Sequence, residues 1–391
     1  MTRSRLYLDH NATTPLRAEA RDAMVVALDQ CGAASSIHGD GRAARKRVEA
    51  ARQQIAALVG AQAKNVVFCA SATEANNMAL SLDWQRAGRP VVQRIAVSSI
   101  EHASVLNGVH ASEAPALLRV GADGIVDLEA VRTLLARWQA EGVSGLVSVM
   151  LANNETGVIQ SVGEIAALVH EAGGLLHCDA AQAAGKISFS ISEIGADLLT
   201  LSSHKLGGPL GAGALVLASD SLHQPHPLIR GGGQEKGMRA GTENVPAIAG
   251  FGAAAEAAQH GFGVFGGHVQ ALRDELEQRL RANSPDLVVF GVGGKRLPNT
   301  LNFAEPGMPA EMALIALDLE GISVSSGSAC SSGKVKVSHV LTAMGVAPEL
   351  ANCALRVSLG RENTVQDIEF FIAVWTRLRK NIHERKQHRA A

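Results

Sequence analysis

The stretch HCDAAQAAGKISFSISEIGADLLTLSSHKLGGPLGAG, residues 177–213, decides the fold. It reads as a buried strand ending in an acid, Leu175 to Asp179, then a connection, then a second apolar strand, Asp197 to Leu201. That second strand delivers Ser202, His204 and Lys205 into a glycine-rich turn. An acid and a lysine at the ends of neighbouring strands suit pyridoxal phosphate: the carboxylate can pair with a protonated pyridine nitrogen and the amine can condense with the aldehyde. A surface lysine after a core strand and a helix-capping acid would give the same spacing. The rest of the chain has to decide between them.

Outward from that stretch, strands alternate with helices. Leu6–Leu8, Val66–Cys69, Arg94–Ser99, Leu146–Leu151 and Ala214–Ala218 read as strands. Helices are expected over residues 16–30, over an amphipathic segment with Ala44, Val48, Ala51, Ile55, Leu58 and Val59 on one face, from Ala72 through Leu82, and over 162–172. The basic residues of the second helix, Arg52 among them, read as a solvated face. His102, Asn154, Asp179, Gln182, His204 and Lys205 all fall at carboxyl ends of strands, the edge at which open α/β sheets bind ligands. Ser71-x-x-Glu74 is a capping box at a strand-to-helix junction of small residues, which suits an anion but also suits an ordinary capped helix.

Residues 228–244 form a long loop rich in glycine and basic residues. A charged helix at 268–283 then leads into an α+β region with strands at 287–290, 299–303, 321–325 and 355–359 and helices at 311–319 and 367–380. The basic tail, 380–389, is expected to fray.

The chain has 391 residues and a formal net charge of −1. That balance argues against a general nucleic-acid partner. No apolar run approaches the ~20 residues needed to span a bilayer, so no membrane association is expected. The five cysteines are an odd number, widely spaced and without a CxxC pair, which fits a reducing cytoplasm better than a disulfide framework or zinc site. Cys69, Cys178 and Cys353 have apolar neighbours and read as core thiols, whereas Cys31 is ambiguous. Cys330 lies in VSSGSACSSGK, where serine and glycine cannot bury it; Lys334, Lys336 and His339 would favour its thiolate. An incidental surface cysteine would also fit.

The motifs LDHNATTP (8–15), SATEANN (71–77), SSIEH (98–102), NNETG (153–157), HCDAAQ (177–182), SSHKLGGP (202–209), RGGGQEKGMRAGTEN (230–244), SSGSACSSG (325–333) and RVSLGR (356–361) span nearly the whole chain. Together they resemble the cysteine desulfurases of the class V aminotransferase group, NifS-like members included. The resemblance implies an α/β PLP-dependent transferase of fold type I. Its large domain (15–260) would hold a mainly parallel seven-stranded sheet, and 1–14 with 261–391 would form a smaller α+β domain carrying the cysteine loop. Lys205 would bind the cofactor aldehyde, Asp179 the pyridine nitrogen, His102 the ring face and Gln182 the ring hydroxyl. Ala72, Thr73, Ser202 and His204 would hold the phosphate, joined by Thr242 from a second subunit, so a homodimer is implied. Asn154 and Arg356 would bind the substrate carboxylate, with Asn11 close by.

By the same resemblance, L-cysteine would be converted to L-alanine, with Cys330 accepting the sulfur as a persulfide. The sulfur would serve iron–sulfur cluster assembly, nitrogenase maturation included, through a scaffold or another acceptor protein. No intrinsic metal is implied, only transient cluster ligation through the Cys330 persulfide. Selenocysteine lyase, class V aminotransferase and a non-catalytic docking scaffold are the alternatives. Two segments depart from the family pattern: Ala33-Ala34 stands where members carry Asn-Pro, and Lys334–Val337 stands where an acid-proline pair is common.

Overall fold

The structure, a computed structural model, describes residues 5–109, 114–327 and 337–390, with residues 264 and 382–390 as backbone only. Along the chain, β1 is Leu6–Tyr7, α1 Ala18–Leu28, α2 Gly39–Leu58, β2 Val66–Cys69, α3 Ala72–Ala79, β3 Arg94–Ser98, β4 Ala116–Leu118, α4 Leu128–Ala140, β5 Gly145–Ser148, α5 Val162–Glu171, β6 Leu175–Asp179, β7 Leu198–Ser202, β8 Gly213–Leu217 and α6 Val245–His260. The second part holds α7 Gln270–Asn283, β9 Val288–Val289, β10 Thr300–Ala304, α8 Ala310–Leu319, β11 Ile322–Ser323, β12 Ser325–Ser326, β13 Ala354–Ser358 and α9 Val365–Ala390.

Seven strands form one sheet in the order β2-β8-β7-β6-β5-β3-β4. β6, β7 and β8 are buried at every residue, as expected of strands covered on both faces. The pairings from β7 across to β4 are parallel, whereas β8 runs antiparallel to both β7 and β2. β8 therefore starts at the edge where its neighbours end. Its first residue, Gly213, lies opposite Cys69 and Ser202. A Cβ there would fall 2.5 Å from the carbonyl carbon of Ser71 and 2.8 Å from the nitrogen of Ala72, so glycine keeps the first turn of α3 against the sheet edge.

Helices α1 and α2 pack on α6, whose small residues permit a close approach. A Cβ on Gly252 would come within 2.5 Å of the Ala51 Cα. The α2 stripe is buried as its periodicity predicts, but Arg52 is buried with it. It pairs with Glu235 through two bonds of 2.7 and 2.8 Å and lies 4.7 Å over the Phe68 ring. The solvated-face expectation fails there because a carboxylate from the distant 228–244 loop arrives to receive the charge. Glu235 and Lys236 adopt positive φ to make that loop turn.

A second sheet, β9-β10-β13-β12, is antiparallel throughout, and β1 pairs with β11 in parallel. One apolar cluster joins Leu6 and Leu8 to Phe265, Leu276, Phe303, Phe371 and Trp375. The first residues thus pack with the last third of the chain. A smaller cluster of Ile100, Phe290, Val340, Leu341 and Cys353 brings the end of β3 against that region. Several expectations need correction. α3 ends at Ala79, not Leu82; α1 spans Ala18–Leu28, inside the expected 16–30; the strand expected to run to Leu151 ends at Ser148; and the tail continues α9 to Ala390 without a break at Lys380. Among the described residues no helix is long and apolar enough to cross a membrane, and no cluster of three His, Cys, Asp or Glu is arranged to hold a metal ion.

Candidate active site

The carboxyl ends of β3, β6 and β7 bring His102, Asp179, Ser202, His204 and Lys205 to one edge. Asp179 is buried. Its Oδ1 accepts from the Ala181 N–H (2.9 Å) and its Oδ2 from Asn76 Nδ2 (2.8 Å). Among the described residues no basic side chain forms an ion pair with it. A buried carboxylate held by neutral donors and lacking a cation fits a protonated ring nitrogen.

Asn76 uses its second N–H on Ser104 Oγ (2.8 Å). Ser104 in turn meets His102 Nδ1 through its hydroxyl (2.8 Å) and its backbone N–H (3.1 Å). With the backbone N–H donating to Nδ1, the network assigns the His102 proton to Nε2. Desolvation of the ring, followed by the charges of Lys205 and His339, holds the His102 pKa below its ordinary value against the pull of Asp179. The residue keeps some exposure at the edge.

Lys205 Nζ donates to the carbonyls of Asn11 (2.6 Å) and Ala12 (2.8 Å). Burial, then the Arg356 guanidinium, lowers its pKa to about 8, with Asp9 and Asp179 opposing. A lysine so placed supplies free amine near neutral pH. The Asn11 carbonyl also accepts from Gln182 Nε2 (2.9 Å), and Asn11 Nδ2 reaches the Asn154 carbonyl (3.2 Å). Arg356, on β13, donates to that same carbonyl (2.9 Å) and to Asp9 Oδ1 (2.7 Å). Its Nε is buried without a partner among the described residues. Asn11 thus gathers Gln182, Asn154 and Lys205 from separate elements, with Arg356 one bond further.

His204 Nδ1 meets Thr13 Oγ1 at 3.1 Å, and burial, then Lys205, lowers its pKa to about 4, so the ring is neutral. Ala72 and Thr73 open α3, where backbone N–H groups have no intrahelical acceptor. Ser71 Oγ caps Glu74 N (3.1 Å), as expected, but the Glu74 carboxylate bonds Ala70 N (2.8 Å) and the Arg239 guanidinium. Ser202 ends β7 beside Gly213. Gly213 thus sets the start of α3 close to Ser202, near Lys205; free N–H groups at that helix start, the Lys205 amine and an Asp179 without an ion pair among the described residues fit pyridoxal phosphate.

Two expected residues are not tested by this cluster: Thr242, expected to act from a second subunit, and Cys330. Thr242 is exposed on the 228–244 loop and lines a separate pocket with Cys69, Ala70 and Arg239. Cys330, with Lys334 and Lys336, lies outside the described residues. The positions flanking its segment are described. Ser338 Oγ donates to Glu155 Oε2 (2.5 Å), and that oxygen lies 2.2 Å from where a Cβ on Gly327 would be. His339 Nε2 donates to the Glu101 carbonyl (2.9 Å). Cys69, Cys178 and Cys353 are buried and Cys31 is exposed.

Sequence reasoning left Asn76, Ser104, Asp9, Glu155 and Lys186 without a role. The first four sit inside or beside quoted motifs, so motif membership could have flagged them. Lys186 carries the weaker signal of a lone lysine in an otherwise apolar run.

The aminotransferase class-V family model matches residues 6–371, so the chain belongs to that family. Members of this family and of the cysteine desulfurases use pyridoxal phosphate. The relatives narrow the class further. A cysteine desulfurase of Cereibacter sphaeroides is 42% identical over 95% of this chain and 94% of its own. One of Gluconacetobacter diazotrophicus is 42% identical over 93% and 90%. The solved NifS-like protein of Rickettsia africae superposes with a TM-score of 0.86 at 36% identity, over 97% of this chain and 99% of its own.

Proposed function

We propose that this protein is a cysteine desulfurase, converting L-cysteine to L-alanine and passing the sulfur to Cys330. One observation carries the reading: an amine, an amide and a guanidinium from β7, the turn after β6 and β13 converge on residues 9–11 and 154, beside a buried carboxylate without a cation. The similarity to cysteine desulfurases along nearly the whole chain supports it.

Asp179 would hold the ring nitrogen, Gln182 the ring hydroxyl, His102 the ring face, and Ala72, Thr73, Ser202 and His204 the phosphate, with Thr242 contributed by a second subunit. When bound, pyridoxal phosphate supplies an electron sink for negative charge at the Cα of an amino acid. The chain's residues do the rest. Arg356, with Asn154 and Asn11 near it, binds the substrate carboxylate and orients the Cα–H bond. Lys205 Nζ accepts the Cα proton. His102 carries its proton on Nε2, the nitrogen left free to meet the substrate thiol. The Cys330 thiolate attacks the substrate sulfur: an S–S bond forms, the C–S bond breaks, and the electron pair leaves with carbon. Protonation at that carbon, the substrate Cβ, and return of the proton from Lys205 Nζ to Cα give alanine, and Cys330 holds a persulfide. The balance needs no external oxidant.

The remaining parts of the reading follow. Residues 15–260 form the cofactor-binding domain, and 1–14 with 261–391 the smaller one; the shared core of Leu6, Leu8 and the last third of the chain supports that division. The protein acts as a cytoplasmic homodimer. Its persulfide sulfur passes to an iron–sulfur scaffold or another acceptor protein, nitrogenase maturation being one destination, and the persulfide ligates a nascent cluster transiently. The purified, cofactor-loaded protein given L-cysteine and a reductant should release alanine and sulfide in equal amounts. A keto acid in place of alanine would make it an aminotransferase, and turnover confined to selenocysteine would make it a lyase of that substrate.

A further inference from the structure

Lys186 has no part in the reaction just described, yet its amine is buried beside the site. The residue is 4% exposed and follows Gly185, whose φ of 76° makes the turn and whose bare Cα packs near Leu206 and Ala258. Its Nζ donates to Gln182 Oε1 at 2.7 Å and to Asn11 Oδ1 at 2.8 Å. Among the described residues no carboxylate pairs with it. A buried amine without an acid is costly, so what it holds matters.

Both acceptors are amide oxygens, and both amides face the site. With its oxygen held from behind, Gln182 turns Nε2 toward the Asn11 carbonyl, the acceptor it shares with Lys205. Asn11 likewise turns Nδ2 toward Thr300 Oγ1 (2.9 Å) and the Asn154 carbonyl, the acceptor it shares with Arg356. Asn299 Nδ2 donates to the same Asn11 oxygen from a second side (3.0 Å). Rotating either amide by half a turn would set an NH2 group against the Lys186 amine, donor against donor.

We propose that Lys186 is a positioning residue: by holding both amide oxygens, it makes Gln182 present an N–H, never a carbonyl oxygen, to the ring hydroxyl oxygen of the bound cofactor. The inference rests on the reading that Gln182 faces that oxygen.

The test is a cycle of Lys186→Met, Gln182→Met and the double variant, with pyridoxal phosphate titrated into each apoprotein. The readouts are the cofactor dissociation constant and the position of the visible absorption band, with apoprotein melting alongside. Lys186→Met should weaken binding roughly tenfold, the scale of one misdirected hydrogen bond, and shift the band. Gln182→Met should do the same, and the double variant should be no weaker than Gln182→Met alone. An unchanged dissociation constant and band in Lys186→Met, with or without a lower melting temperature, would overturn the proposal, as would fully additive losses. Should Lys186→Met fail to fold, Lys186→Gln takes its place in the cycle, with a smaller loss expected and the same overturning outcomes. If Gln182→Met binds and absorbs like the wild type, the Gln182 reading itself is wrong and the inference goes with it.

Discussion

Two sheet edges meet at the site, and they are furnished differently. The seven-stranded edge supplies His102, Asp179, Ser202, His204 and Lys205, each within about four residues of a strand end, and His102, Asp179, His204 and Lys205 are held there by hydrogen bonds. The four-stranded sheet supplies one reactive side chain among the described residues, Arg356, and leads into the cysteine segment at Gly327; Ser338, beyond that segment, caps a short helix. In our reading the first edge does carbon chemistry, in which protons move at one atom and positions must hold to a fraction of an ångström. The second binds the carboxylate and delivers the sulfur acceptor. Variants at the two edges should therefore fail in separable ways.

The largest effect belongs to the first edge. Lys205→Ala should lower alanine formation by about 10³-fold or more, since positioned proton transfer alone contributes ~10²–10⁴. It should also abolish the covalent link to the cofactor that borohydride fixes in the wild type. Single-turnover alanine yield and mass spectrometry of the reduced protein would measure both. Cys330→Ala should bind the cofactor as the wild type does and form no persulfide, with sulfide release falling to the level without enzyme. Wild-type sulfide release from that variant would remove Cys330 from the mechanism and erase the contrast between the edges.

How much of this was legible in the sequence follows the same contrast. Six of the seven strands of the large sheet could be read from short apolar runs, β4 being missed, and their polar termini from chain-local motifs. Asp179 and Lys205 could accordingly be singled out as candidates from residues 177–213, although a surface lysine and a capping acid fitted the same spacing. The antiparallel course of β8 was not legible, because a strand's direction depends on its partners and not on its composition. Nor was the burial of Arg52, whose partner Glu235 is 183 residues away. Arg356 is 347 residues from Asp9, and Ser338 is 183 from Glu155. Bonds of that span leave no periodicity behind. Lys186 was passed over for a related reason: a lysine in an apolar run reads as solvent-facing until the acceptors that keep it inside are known.

Arg356→Lys should sharpen the comparison next. The guanidinium keeps Asp9 and Asn154 engaged while offering further N–H groups to a carboxylate, which a single ammonium cannot copy. Loss of a charge-assisted pair worth about 1.5–3 kcal/mol should raise KM roughly 10- to 150-fold. The visible band should stay in place, because the first edge is untouched. An equal fall in kcat at constant KM would instead mean that Arg356 acts in the chemical step.

The pH dependence of cofactor loading tests the first edge alone. Burial and Arg356 hold Lys205 at a pKa of about 8 in the apoprotein. Below that pH the amine is protonated and cannot attack the aldehyde; above it the free amine predominates. The rate of reconstitution with pyridoxal phosphate should rise with pH to a half-point near 8, falling about tenfold per unit below it. An ordinary lysine would put the half-point near ~10.4. A half-point there would show that the amine is not desolvated by its surroundings.

The smallest effect should come from Glu155, the buried carboxyl between Gly327 and Ser338. Burial holds its pKa above the usual carboxyl range, against the Ser338 hydrogen bond and the charges of His339 and Arg356. The amide of Glu155→Gln therefore copies its neutral form and can keep an oxygen on the Ser338 hydroxyl. Glu155→Ala leaves that hydroxyl without its acceptor and opens space against Gly327, at a cost of about 1–3 kcal/mol in stability. If Glu155 matters by fixing both flanks of the cysteine segment, Glu155→Ala should slow persulfide formation a few-fold at saturating cysteine. KM and the cofactor band should remain as in the wild type, and Glu155→Gln should restore most of the rate. A shifted band or a raised KM in Glu155→Ala would mean that the disturbance had reached Asn154 and Arg356 through the backbone. The two edges would then be one mechanical unit, not two.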